Sequence, residues 1–281
     1  MYLIKQRKSV SLSVNACAGA LISLLGVLSP VAYAQDITPE ARGLEIVTEL
    51  KRRDIGWGDS KTTLNMVLRN AAGQESTRKI RTKTLEVDGD GDKSLNIFDH
   101  PRDVKGTAFL SFSHPVGADD QWLYLPALKR IKRIASRNKS GPFMGSEFAF
   151  EDLSSFEVEK YTYKFLREEP CTDIHSDAGT CFVVEQYPVD KYSGYTRQLT
   201  WIDTKEYRNW KTEFYDRRNS LLKTLTVTGF QQYLGQYWRA TGMLMQNHQT
   251  KKVTELVWNE YQFKTGLTDA DFNQNTLKRA K

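Results

Sequence analysis

Residues 121–153 read QWLYLPALKRIKRIASRNKSGPFMGSEFAFEDL, and three textures follow one another in them. Trp122, Leu123, Tyr124 and Leu125 are strand-forming. Pro126 breaks that run before a basic stretch of Lys129, Arg130, Lys132 and Arg133. A loop then carries Gly141, Pro142 and Gly145 among Phe143, Met144, Phe148 and Phe150. Loops run over the surface and are usually polar, so four large apolar side chains between Gly and Pro hinges require a destination. Either they plug a core, the commoner fate of apolar residues, or they cover a pocket that a ligand also fills. The basic stretch has two readings as well. It is a solvated strand face whose charges prevent edge-to-edge pairing, or a docking surface for acidic lipid or an acidic partner.

Upstream, Lys5, Arg7 and Lys8 precede a mostly apolar run from Val10 to Leu28 and a small-x-small site at Ala32-Tyr33-Ala34. This is the pattern of a cleaved export signal over residues 1–34, with one domain over residues 35–281. Taking away three basic residues and no acidic one lowers the formal charge from +6 to about +3. Together with export, that argues against nucleic acid as a partner. Cys171 and Cys181, a close pair in an exported chain, read as a disulfide closing a hairpin, worth roughly 2–3 kcal/mol by loop entropy.

Thr38 followed by Pro39 is an N-cap with proline at the first helical position, and Leu44, Val47 and Leu50 give the helix after it one apolar stripe. From Ser60 to Phe263 the texture is β. About eleven strand candidates follow at hairpin intervals, without intervening helices, among them Thr62–Arg69 and Leu221–Gln231. Leu64, Met66 and Leu68 alternate with polar neighbours, as in a sheet with one buried face. Beyond the N-terminal helix, only Phe156–Lys160, after a Ser154-x-x-Glu157 capping pattern, and a turn at Asp269–Phe272 offer helical cover. A long curved sheet with so little helix over it leaves a concave apolar volume.

Catalytic motifs are absent: no HExxH, GxSxG, CxxC or glycine-rich phosphate loop, and four dispersed histidines. Asp88, Asp90 and Asp92 imitate the start of a calcium loop. Lys93 and Asp99 occupy the positions that need Gly and Glu, so a tight hairpin turn is the expectation. No catalytic residue, metal ligand or cofactor is assigned.

Trp122–Arg130, Ser140–Phe148 and Glu151–Leu153, with the tail Gly242–Asn247, Thr254–Leu256, Leu267–Asp269 and Phe272, resemble the outer-membrane lipoprotein-sorting-protein-like (LolA-like) family. The resemblance implies a mainly β (α+β) fold: an incomplete antiparallel β-barrel lidded by an N-terminal helix and short helices or a loop over a hydrophobic cavity. It implies a monomeric, periplasmic, non-enzymatic carrier of lipid or acylated protein. The hand-off partner would be an inner-membrane transporter of the resistance-nodulation-division (RND) type or an outer-membrane acceptor. Trp122, Tyr124, Phe143, Met144, Phe148 and Phe150 then become ligand-binding or lid residues, and Lys129, Arg130, Lys132 and Arg133 the docking face. The alternative is an interaction or sensory protein that uses the same fold to dock a transporter or regulator.

Overall fold

The computed structural model describes residues 37–279; the export signal expected over residues 1–34 lies outside them. Helix α1 (Pro39–Arg53) starts where the sequence places it. The Thr38 hydroxyl accepts from the Ala41 N–H at 3.2 Å, and Pro39 opens the first turn. The chain then lays down β1 (Asp59–Arg69), β2 (Glu75–Leu85), β3 (Lys93–His100), β4 (Ala108–Phe112), β5 (Asp120–Leu125) and β6 (Arg130–Arg133), each antiparallel to the one before. Residues 134–160 carry only short 3₁₀ turns. After them come β7 (Tyr161–Pro170), β8 (Thr180–Pro188), β9 (Tyr195–Asp203), β10 (Asn209–Asp216), β11 (Leu221–Tyr233), β12 (Tyr237–Asn247) and β13 (Val253–Trp258). A two-residue strand, β14 (Gln262–Phe263), pairs with the start of β1, and helix α2 (Gln274–Arg279) closes the described chain.

All the strands belong to one sheet, thirteen of them in the order β6-β5-β4-β3-β2-β1-β13-β12-β11-β10-β9-β8-β7, with β14 off this path beside β1. The meander starts in the middle, runs out to the β6 edge, and re-enters at the opposite edge, β7. At about 4.8 Å per strand this sheet would be roughly 60 Å wide if flat. It is not flat. Leu123 of β5 and Tyr195 of β9, near opposite edges, belong to one buried cluster with Leu64, Ile80, Phe109 and Leu256. The sheet therefore curls with that face inside and its edges unpaired, the open half-barrel that the sequence leads one to expect. Strand count exceeds the expected eleven because the opening stretch supplies β5 and β6, and because Asn259, Glu260 and Tyr261 separate β14 from β13.

Strand alternation sends the other residues outward. Leu95, Ile97 and Leu110 bury against Leu267, Phe272 and Leu277 of the C-terminal segment. Helix α1 lies against β7 and β8, with Ile46 and Val47 packed on Tyr163, Phe182 and Val184. Gly43 makes this contact possible, since a Cβ there would stand 2.8 Å from the Phe165 backbone nitrogen. Cys171 and Cys181 are disulfide-bonded across the β7–β8 hairpin, as their spacing suggests. The Ser154-x-x-Glu157 pattern does not cap a helix. Glu157 is buried and pairs with Lys51 of α1 at 3.1 Å, and the 3₁₀ turn begins only at Val158. Among the described residues, no helix is long and apolar enough to cross a membrane.

Candidate functional site

Topology dictates the course of residues 134–160: to join the β6 edge to the β7 edge, they cross the inner face. Phe143, Met144, Gly145 and Ser146 form the tip of a small hairpin, with positive φ at Met144 (50°) and Gly145 (78°). The Ser146 N–H donates to the Phe143 carbonyl at 2.9 Å, and the Phe143 N–H to the Phe148 carbonyl at 2.7 Å. This is the mirror-image turn that suits tight hairpins. It drives the Phe143 ring inward, 5.1 Å from Phe109, 5.8 Å from Phe98 and 5.7 Å from Phe150 between centroids.

Both halves of the sheet hold this strap. Arg78 of β2 donates to the Met144 carbonyl. From the other half, Lys223 of β11 donates to the Glu147 carbonyl at 2.8 Å and pairs with Asp152 at 2.6 Å. Asn247 reaches the Glu147 carboxylate at 2.6 Å, the Thr254 hydroxyl accepts from the Glu147 N–H at 3.0 Å, and the Tyr195 hydroxyl donates to Asp152 at 2.8 Å. Lys223 and Asp152 are both almost wholly buried, so their pairing holds only while the geometry is intact.

Beyond the strap, the inner face holds two adjoining cavities, each partly open to solvent. The larger, 510 Å³, lies between α1 and the middle of the sheet, walled by Leu50, Trp57, Val227, Trp238, Trp258 and Tyr261. The smaller, 320 Å³, lies beside the strap, with Phe148, Phe214 and Met245 in its wall and Asp119, Lys139, Lys160 and Asp190 among its lining. Phe156, Gln186, Asn209, Leu225 and Met243 line both, so the two meet there. Each volume is in the range of small-ligand sites. Asp92, from the turn read as a calcium-loop imitation, lines the larger cavity. Burial pushes its carboxyl up to about 6, against the opposing pull of Lys51. Its neighbour Asp90 instead meets the His114 imidazole at 2.9 Å.

The residues singled out in the sequence are distributed among three places. Phe143, Met144, Phe148 and Phe150 come together in the strap, but only Phe148 lines either cavity. Trp122 and Tyr124 are not with them. They alternate with the inward-facing Leu123 and pack in the outer cluster with Leu267 and Phe272. Lys129, Arg130, Lys132 and Arg133 are exposed on and beside edge strand β6. Among the described residues, only Arg133 of the four has an ion-pair partner, Asp120. Of the cavity wall, Val47 and Leu50 stand out in the sequence as part of the apolar stripe of α1; Trp57, Trp238 and Trp258 do not. Trp57 precedes β1, Trp238 lies on β12 and Trp258 ends the neighbouring β13, and any buried sheet face would also carry such residues.

A family model described as "Uncharacterized protein" matches residues 90–279. A solved domain from Vibrio parahaemolyticus, provisionally described as an outer membrane lipoprotein-sorting protein, is 61% identical over 85% of this chain and 99% of its own, with TM-score 0.82. A DUF1329 family protein from Desulfovibrio piger is 28% identical over 85% of this chain and 99% of its own, with TM-score 0.79. A LolA superfamily protein from Nitrosomonas europaea shares the fold at 19% identity, covering 83% of this chain and 98% of its own, with TM-score 0.66. No curated protein matches the chain.

Proposed function

The chain belongs to the outer-membrane lipoprotein-sorting-protein-like (LolA-like) family, and from that premise we propose that it is a non-enzymatic periplasmic carrier of lipid or lipid-modified cargo. The observation that carries the reading is the 510 Å³ cavity between α1 and the sheet, with an aromatic and aliphatic wall. Each CH₂ of an acyl chain buried there contributes about 0.8 kcal/mol, so affinity needs few specific polar contacts. In this reading residues 35–281 act as one domain. Helix α1, latched to the strap by Lys51 through the Phe156 carbonyl at 2.9 Å and the Glu157 carboxylate, is the element that opens.

Release of cargo calls for an acceptor, either an inner-membrane transporter of the RND type or an outer-membrane component. The exposed basic residues Lys129, Arg130 and Lys132 on and beside β6 favour an acidic surface on it. Charge reversal at these three positions should abolish co-purification with the acceptor while leaving lipid binding intact.

Native mass spectrometry of gently purified protein should find an acyl-chain ligand, and a fluorescent fatty acid should bind the delipidated chain. Ala240→Phe, at a buried position on the larger cavity, should remove both signals and keep the fold. A ligand-free protein that also fails to bind the fatty acid would overturn the reading.

A further inference from the structure

The inner face of β8, β9 and β10 is unlike the rest of the cavity wall. Alternation turns Gln186, Gln198, Thr200 and Thr212 inward, and all four are more than nine-tenths buried. Thr200 stands opposite Thr212 in the register with β10, and Gln186 stands opposite Gln198 in the register with β8. Most of the patch satisfies itself. Gln186 donates to Gln198 at 2.6 Å, and Asn209 donates to the Thr212 hydroxyl at 3.1 Å. The Thr200 hydroxyl does not: it is buried and has no hydrogen-bond partner within the protein, and Thr200 is one of the residues lining the larger cavity. Of the same polar face, Gln186 and Asn209 line both cavities.

A groove meant only for hydrocarbon gains nothing from such a patch, because the cost of a buried unpaired hydroxyl is one that methylene groups cannot relieve. We propose that the cargo is an acylated amphiphile whose ester or amide carbonyl accepts a hydrogen bond from Thr200. Its tail then lies under α1 against Val227, Trp238 and Trp258. The polar end is directed into the smaller cavity, whose lining carries Asp119, Lys139, Lys160 and Asp190. The inference rests on the reading of the cavity as a lipid site and adds the chemistry that the ligand presents at its midpoint. An ester points to a glycerolipid and an amide to an N-acylated chain; both present the same acceptor.

Three probes of similar length separate these cases: methyl decanoate, N-methyldecanamide and n-dodecane. Binding is followed by the fluorescence of Trp57, Trp238 and Trp258, which wall the cavity. The wild-type chain should bind the ester or the amide more tightly than the alkane, and whichever binds more tightly identifies the linkage. Thr200→Val keeps the shape of the side chain and should weaken the preferred carbonyl probe by about tenfold, the loss of one buried hydrogen bond. Alkane binding should stay unchanged or tighten. Thr200→Ser, which restores a hydroxyl, should recover the preference. Equal binding of all three probes to wild type, or a Thr200→Val variant that folds and keeps the wild-type preference, overturns the inference and assigns the hydroxyl to bound water. A wild-type chain that binds none of the probes overturns the lipid reading itself.

Discussion

Strands β11 and β12 pass through two environments along one continuous inner face. At one end Lys223, Leu225, Met245 and Asn247 lie beneath or beside the strap, which fills the space with Phe143 and Phe148 and fastens itself through Glu147 and Asp152. At the other end Val227, Phe230, Trp238 and Ala240 line the cavity under α1. The difference lies in the cover. The strap carries its own aromatic rings to the sheet and is held by buried polar anchors from both halves. Helix α1 packs its apolar stripe on β7 and β8 and only borders the cavity. One end of the half-barrel is thus a core completed by a loop, and the other a chamber with a helix at its side.

The largest effect that separates the two ends is expected from truncating their aromatic residues. Phe143→Ala should cost about 3–5 kcal/mol of unfolding free energy, because its ring is buried among Phe98, Phe109 and Phe150 and the anchored hairpin cannot collapse into the gap. Trp258→Ala, on the cavity wall and only partly buried, should cost clearly less in the same urea titration. If the two cost the same, the strap is no more a core than the chamber is.

Next in size is Lys223→Met, which leaves Asp152 buried without its cation and should cost about 3 kcal/mol. The Asp152 carboxylate would keep the Tyr195 hydroxyl and the Ala149 N–H, so part of the loss should be recovered by adding Asp152→Asn. Unfolding curves of the single and double variants measure that coupling. Fatty-acid binding at the far cavity should change little in either.

The sequence reveals these two regions unequally. Thr38-Pro39 announces α1, the alternation in Leu64, Met66 and Leu68 announces the buried face, and the cysteine spacing announces the hairpin bridge. Each rests on contacts close in sequence or on a single strand. The apolar loop is conspicuous for the same reason, yet whether Phe143 plugs or covers is decided by Arg78, Lys223 and Asn247, residues far away along the chain. Alternation also shows that Trp122 and Leu123 face opposite ways, but not which way is inward; the convergence of β5 with β9 settles that. The polar patch hid most completely. Gln198 and Thr200 alternate with Leu199 and Trp201, which reads as a wet face and a dry one. Here the polar residues face inward, and Val183 and Trp201 are buried beside the disulfide instead.

Helix α1 offers a smaller and more selective perturbation. In an ordinary helix interior Gly→Ala gains up to about 1 kcal/mol. At Gly43 the new Cβ would press on the Phe165 and Lys164 backbone at 2.8–3.0 Å, where neither atom can swing aside. Gly43→Ala should therefore destabilise by about 1–2 kcal/mol net. It should also weaken fatty-acid binding under α1 while hydrogen-exchange protection of the strap stays at the wild-type level. Loss of strap protection would mean that the two covers move as one.

The smallest expected effect is set by pH. Asp92, on the cavity wall beside Glu157, Glu86 and Lys51, has its carboxyl raised to about 6 by burial. A folded-state value above the unfolded one means that the folded chain prefers the protonated form. The contribution of Asp92 is therefore most favourable below pH 3.8 and is lost as pH rises through about 6. A two-unit shift corresponds to at most about 3 kcal/mol, and partial exposure reduces it to about 1. Asp92→Asn can still accept from Ser155 and carries no charge to desolvate. It should raise stability by about 1 kcal/mol at pH 7.5 and by little at pH 4, with no change in the cost of Phe143→Ala at either pH. Thermal unfolding of the two single variants and the double variant at both pH values tests this. A gain that persists at pH 4 would locate the cost of Asp92 in packing, and non-additivity with Phe143→Ala would show that the chamber and the strap share one energetic unit.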